Sequence, residues 1–139
     1  MRARGVGVAG VTVFVLTALS SGVAAQEAAG TFTVDASLAK RGQSVWNNRG
    51  CAACHAIGEG KRAGPDLAGV LERRDHGWLR RFLTNPPEML ETDSLARALL
   101  AEYNNTKMPN LRLKEPEIEA VLHYIAQQSE KAKEKQGGS

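Results

Sequence analysis

The sequence predicts an all-α fold, a small domain of about four short helices and two long loops closed around a bound apolar body. Three observations carry that expectation. Apolar residues recur at helical spacing in four separate segments, with no alternating strand pattern and no internal repeat. The stretches between those segments are rich in glycine and proline. Past the N-terminal run the chain has only six aromatic residues, so short helices would struggle to fill a core unaided.

The N-terminus stands apart. Arg2 and Arg4 precede an uncharged apolar run from Val6 to Leu19, and Val23 and Ala25 offer the small residues of a signal-peptidase site. Such a run suits a secretory segment better than a membrane span; an uncleaved anchor is the alternative. Residues 1–25 therefore read as a signal peptide, and a periplasmic or secreted location is expected. The remaining 114 residues make one small domain with a net charge of only +1, which gives no reason to expect a nucleic-acid partner. Charge is polarised along the chain. Residues 61–81 carry six bases against three acids, whereas residues 82–130 carry eight acids against four bases. Such a split can orient a docking partner, and equally it can be ordinary solvated helix surface.

Residues 26–36 are a polar lead-in, residues 37–130 the folded domain, and residues 131–139 a flexible charged tail. Asp35 or Ser37 can cap a first helix with Leu38, Gly42, Val45 and Trp46 on one face and Gly50 as its stop. A glycine-rich loop follows. A second helix is expected from about His76 to Leu83, ended by Asn85-Pro86-Pro87, and a third from Asp93 or Ser94 to Tyr103. After the loop of residues 104–113, the last helix starts near Glu115, tolerates Pro116 in its first turn, and aligns Ile118, Val121, Leu122 and Ile125.

The chemistry concentrates in Cys51-Ala52-Ala53-Cys54-His55, which holds the only two cysteines. A thioredoxin-like dithiol would follow a strand, but here a helix precedes and a glycine loop follows. A disulfide between Cys51 and Cys54 would close a very small loop and stabilise little. A zinc site would need His76 or His123 as a further ligand, without the paired spacing such sites show. Covalent haem fits better. In this motif two thiols add to the porphyrin vinyl groups and the adjacent imidazole ligates the iron. The predicted export agrees with it, and haem would supply the missing apolar volume.

From about Ser37 to Gln128 the chain resembles the class I (mitochondrial-type) monohaem cytochromes c. The matching pieces are Gly42 with Trp46, the motif at residues 51–55, Gly64 to Leu67, Trp78 to Pro86, Lys107 to Asn110 and Glu117 to Ile125. The resemblance implies one covalently attached haem c. It implies that Gly42 lets the first and last helices cross closely beside Trp46 and Tyr124. It implies that the Pro65 carbonyl accepts the second ring N–H of His55, strengthening the ligand. Two departures stand out. Lys114 replaces the usual Ser or Thr cap, leaving Glu117 as partial compensation, and the stretch between Pro87 and Lys107 is long and carries an extra helix.

For the sixth iron ligand the chain offers Met89, Met108, His76 and His123. His123 is expected on a solvated face and His76 in a surface or capping role. Met89 is expected in an extended segment after Pro86-Pro87. Met108, held by Pro109, matches the family's ligand position. A thioether ligand raises the reduction potential, and an iron with both axial sites filled by His55 and Met108 exchanges electrons without exchanging ligands. The expected function is therefore a one-electron carrier and not an enzyme, serving oxidase, reductase or dehydrogenase partners, with Lys61 and Arg62 as docking charges. It would meet a membrane only through those partners, unless the signal segment stays uncleaved. The competing classes are a peroxidase-like or gas-binding haem domain with a labile sixth ligand, and a fixed cytochrome subunit of a larger oxidoreductase.

Overall fold

The computed structural model describes residues 32–138, so the signal segment and most of the lead-in lie outside the described residues. Among those residues there are six helices and no strand. Helix α1 (Ala36–Asn48) begins at Asp35, whose carboxylate accepts the N–H groups of Ser37 and Leu38 at 2.8 and 2.9 Å. A single 3-10 turn, Cys51–Ala53, follows Gly50 at φ 72°. Helix α2 (Val70–Arg73) is one turn at the end of the glycine-rich loop. Asp75 caps α3 (His76–Thr84) by accepting the Trp78 N–H at 2.8 Å, and Asp93 caps α5 (Ser94–Glu102) through the Ala96 N–H at 2.9 Å.

Two sequence expectations need correction. Pro86 and Pro87 do end α3, but they also start a new helix, α4 (Pro86–Thr92), so Met89 is helical and not extended. Proline has the right φ for a first helical turn and no N–H to leave unpaired there. The tail is also more regular than its charge suggests, because α6 (Glu115–Gly137) continues to Gly137. Ala132 packs against Gly58 of the loop and the Lys133 ammonium meets the Glu72 carboxylate, contacts that a composition reading does not see. The start of α6 conforms to expectation. Glu117 Oε2 accepts the Lys114 N–H at 2.9 Å while Oε1 takes Arg49 Nη2 at 2.6 Å, so one acid caps α6 and ties it to the end of α1.

Helices α1 and α6 cross at Gly42. A Cβ there would stand 2.0 Å from the Ala120 carbonyl oxygen and 2.7 Å from Tyr124 Cβ, so only hydrogen fits. Buried apolar residues form two adjoining clusters along one face of α6. Leu79, Leu113, Ile118 and Leu122 form one cluster, and Trp46, Val121 and Ile125 form the other, with Tyr124 5.8 Å from the Trp46 ring. The second cluster forms one wall of the cleft described next. No helix among the described residues is long and apolar enough to cross a membrane.

Candidate cofactor site

The loop after the cysteine motif folds back on it in a defined register. Gly64 N–H donates to the Cys54 carbonyl at 2.8 Å, and Leu67 N–H donates to the Ala56 carbonyl at 2.9 Å. These bonds bracket His55 on one strand of the loop and Pro65 on the other. The Pro65 carbonyl consequently lies 2.9 Å from His55 Nδ1. With the ring proton on Nδ1 donated to that carbonyl, Nε2 keeps its lone pair for a metal. Gly64 completes the seat, since a Cβ there would fall 2.6 Å from His55 Cε1. Burial pushes the imidazole below its ordinary value, with the Pro65 carbonyl pulling the other way. Burial likewise raises the Cys51 thiol.

His55 opens into a cleft of about 370 Å³. Cys51 and Cys54 stand at the same cleft, the first half-buried and the second exposed. Its walls are apolar: Trp46, Leu67 and Val70, then Leu79, Phe82 and Leu83 of α3, Leu90 of α4, Leu99 and Leu100 of α5, and Val121, Leu122 and Ile125 of α6. Met108 lies in the wall of this cleft. Met89 does not; it borders a separate surface hollow with Arg80, Arg81 and Glu115.

The two other histidines also lie elsewhere. His76 Nε2 is 3.3 Å from Glu119, and the Phe32 ring stands between His76 and His123, 5.2 and 4.6 Å from them. His123 is half-buried and not merely solvated, for its Nδ1 accepts the Asp35 N–H at 3.0 Å. Among the described residues no group of three or more His, Cys, Asp or Glu is arranged to hold a metal ion.

An imidazole with one nitrogen already engaged, a thioether, two thiols at the rim and a dry wall of aliphatic and aromatic groups fit a flat apolar macrocycle carrying iron. The comparison with known proteins agrees. The family model described as Cytochrome c matches residues 39–129. The chain belongs to the cytochrome c family. Its cofactor is accordingly covalent haem c, and the protein is a c-type cytochrome.

Solved structures of similar cytochromes extend the match. A cytochrome c from Rhodothermus marinus is 31% identical, with a TM-score of 0.66 over 71% of this chain and 83% of that one. The cytochrome c domain of the pp3183 protein from Pseudomonas putida is 37% identical, with a TM-score of 0.56 over 68% of this chain and 91% of that domain. An engineered Rhodothermus marinus cytochrome c, described as bound to a carbene intermediate, is 31% identical with a TM-score of 0.62. It covers 70% of this chain and 82% of its own. No curated protein matched the sequence.

Parts of the cytochrome's site escape the sequence reading. Arg73, Arg74, Glu102, Tyr103 and Lys107 border the cleft, from two segments far apart in the chain. The Lys61 ammonium stands 6.0 Å from the Tyr103 ring centroid, a contact between the loop and the end of α5. Asp66 organises the loop from below, and only the spacing of Gly58, Gly60 and Asp66 hints at it.

Proposed function

We propose that this cytochrome is a mobile one-electron carrier of an extracytoplasmic respiratory chain. In this reading Cys51 and Cys54 hold the haem as thioethers, His55 is the proximal ligand and Met108 the distal one. The observation that carries it is the company Met108 keeps. It shares one cleft with Cys51, Cys54 and His55, whereas Met89, His76 and His123 lie outside that cleft. The haem supplies an Fe(II)/Fe(III) couple. The chain's residues would hold that iron and keep it dry: His55, fixed by Pro65 and Gly64, and Met108 would ligate it, and the aliphatic walls of α3, α5 and α6 would exclude water. Filled axial positions keep reorganisation small, which suits repeated electron transfer and offers no place for a substrate.

The predicted signal peptide supports export, because haem attachment of this kind follows it. Cys54 is exposed, so the thioether side is the natural electron port. Lys61 and Arg62 are exposed beside it, and Arg73, Arg74 and Lys107 border the cleft, which favours an acidic face on the oxidase, reductase or dehydrogenase that docks there. Arg62 is partly committed, donating to Glu59 at 2.9 Å and to the Ala52 carbonyl at 3.0 Å.

Visible spectra of the oxidised and reduced protein test the ligation. Low-spin ferric iron with a methionine–iron band that vanishes in Met108→Ala is expected. High-spin iron that binds carbon monoxide readily in the wild type would move the protein to the gas-binding or peroxidase-like class. Electron-transfer rates with an acidic partner should fall as ionic strength rises; flat rates would remove the docking charges from the account.

A further inference from the structure

Asp66 has a role that the thioether, imidazole and methionine positions do not explain. Its Oδ1 accepts the N–H of Gly58 at 2.9 Å and of Ala68 at 2.8 Å, while Oδ2 accepts from Gly58 at 3.1 Å and Gly60 at 2.5 Å. Gly58 and Gly60 both have positive φ, 85° and 88°. Successive N–H groups turned inward by such a backbone form a nest that binds anions. Here the anion is the chain's own carboxylate. Burial opposes its charge, but the N–H groups of Gly58, Ala68, Gly60 and Glu59 outweigh burial and hold the carboxyl below its ordinary value.

The place of this nest in the loop matters. Asp66 immediately follows Pro65, whose carbonyl meets His55 Nδ1. The bonds from Gly64 to Cys54 and from Leu67 to Ala56 set the register of the loop on either side of the peptide between Pro65 and Asp66. The nest pins that peptide from the far side.

We propose that Asp66 is a positioning residue for the proximal ligand: its carboxylate, seated in the Gly58–Gly60 nest, holds the Pro65 carbonyl on His55 Nδ1 and so sets the donor strength of the ring toward iron. The inference deepens the proposed ligation and rests on His55 being the proximal ligand. A carbonyl bonded to Nδ1–H makes the imidazole a stronger donor and favours ferric iron, so loosening it raises the reduction potential.

Four variants of the haem-loaded protein separate positioning from charge and from general loosening. Asp66→Ala removes carboxylate and latch together. Asp66→Asn removes the charge but keeps one acceptor oxygen. Gly60→Ala keeps the charge and strains the nest, because a Cβ there meets nothing within 4 Å while φ 88° disfavours any side chain. Ser129→Ala weakens the loop elsewhere, by removing the acceptor of the Gly69 N–H at 3.0 Å.

The readouts are exchange of the His55 Nδ1–H proton, followed by nuclear magnetic resonance of the ferrous protein, and the reduction potential. Asp66→Ala and Gly60→Ala should each speed that exchange by about tenfold and raise the potential, with Asp66→Asn smaller and Ser129→Ala unchanged in both. Wild-type exchange in both Asp66→Ala and Gly60→Ala would overturn the proposal, as would a Ser129→Ala protein that matches Asp66→Ala. Equal potential rises in Asp66→Ala and Asp66→Asn without faster exchange would reduce Asp66 to a charge. Should Asp66→Ala fail to fold, Gly60→Ala and Asp66→Asn still decide. Absence of the methionine–iron band in the wild type would sink the His/Met assignment yet leave the His55 exchange readable, so the two failures are told apart.

Discussion

Gly42→Ala is the smallest change that should disturb both the fold and the haem cleft. The added Cβ would lie 2.0 Å from the Ala120 carbonyl oxygen and 2.6 Å from its carbon, where ordinary contact begins near 3.4 Å. Helices α1 and α6 would have to part by about 1.4 Å at their crossing, since the obstructing atoms are helix backbone and cannot rotate away. Overpacking of this kind costs about 1–3 kcal/mol, and a rigid obstacle puts the cost at the upper end. Alanine recovers about 1 kcal/mol of helix propensity. The net loss of about 2 kcal/mol corresponds to a fall in Tm of roughly 8–16 °C for a domain of this size. Thermal unfolding of the haem-loaded protein, followed by far-ultraviolet circular dichroism, measures it. Because Trp46, Val121 and Ile125 line the cleft beside the crossing, the methionine–iron band should weaken in the same variant. A Tm within about 2 °C of the wild type would refute the close-crossing argument.

Two further substitutions probe the ends of the long helices. Glu117→Ala removes the acceptor of the Lys114 N–H and the partner of Arg49, and should cost about 1 kcal/mol, read as a lower urea midpoint. The Lys114 N–H first, and Arg49 second, hold the Glu117 carboxyl below its ordinary 4.5. Its contribution is therefore present above that value and fades as pH falls through the folded value, so the gap between wild type and variant should close in acid. His123 works in the opposite region. Burial, together with nearby His76, lowers its value against the pull of Asp35 and Glu119, and its neutral Nδ1 accepts the Asp35 N–H. The unfolded chain then takes up a proton from about the ordinary 6.5 downward before the folded one does, so stability should drop as pH falls through that window. In His123→Gln the drop should disappear; an identical pH dependence of Tm in the variant would exclude His123 as its source.

Much of this architecture was legible because single residues dictate it. Asp35, Asp75 and Asp93 cap three helices through their own side chains, and the apolar spacing of Ile118 to Ile125 needs no tertiary information. The cysteine motif was legible for the same reason, since Cys51, Cys54 and His55 are brought together by a turn of five residues. What the sequence does not display is which side chains pair once the helices have formed. Proline was read as a stop at Pro86-Pro87, whereas it both stops α3 and starts α4, and the choice rests on Asn85 Nδ2 bonding Glu88 at 2.7 Å and Leu90 being buried. At the end of α6 a charged composition conceals Ala132 packed on Gly58 and Ser129 receiving the Gly69 N–H.

The same division separates the proposed proximal and distal positions. His55 sits beside the cysteines that tether the haem, and its orientation is settled by a loop only ten residues long, from His55 to the Pro65 carbonyl. Met108 arrives from a segment bounded by Asn104, Asn105 and Arg112, all non-glycine residues at positive φ, 54°, 57° and 52°. Conformations of that kind persist only where surrounding contacts impose them. For Met108 those contacts are the cleft walls contributed by α3, α5 and α6. The proximal side is thus built locally and early in the chain's logic, while the distal side is assembled by the whole fold. Loosening the fold at Gly42 should accordingly be felt at Met108 before it is felt at His55, with the methionine–iron band lost while the iron keeps its histidine.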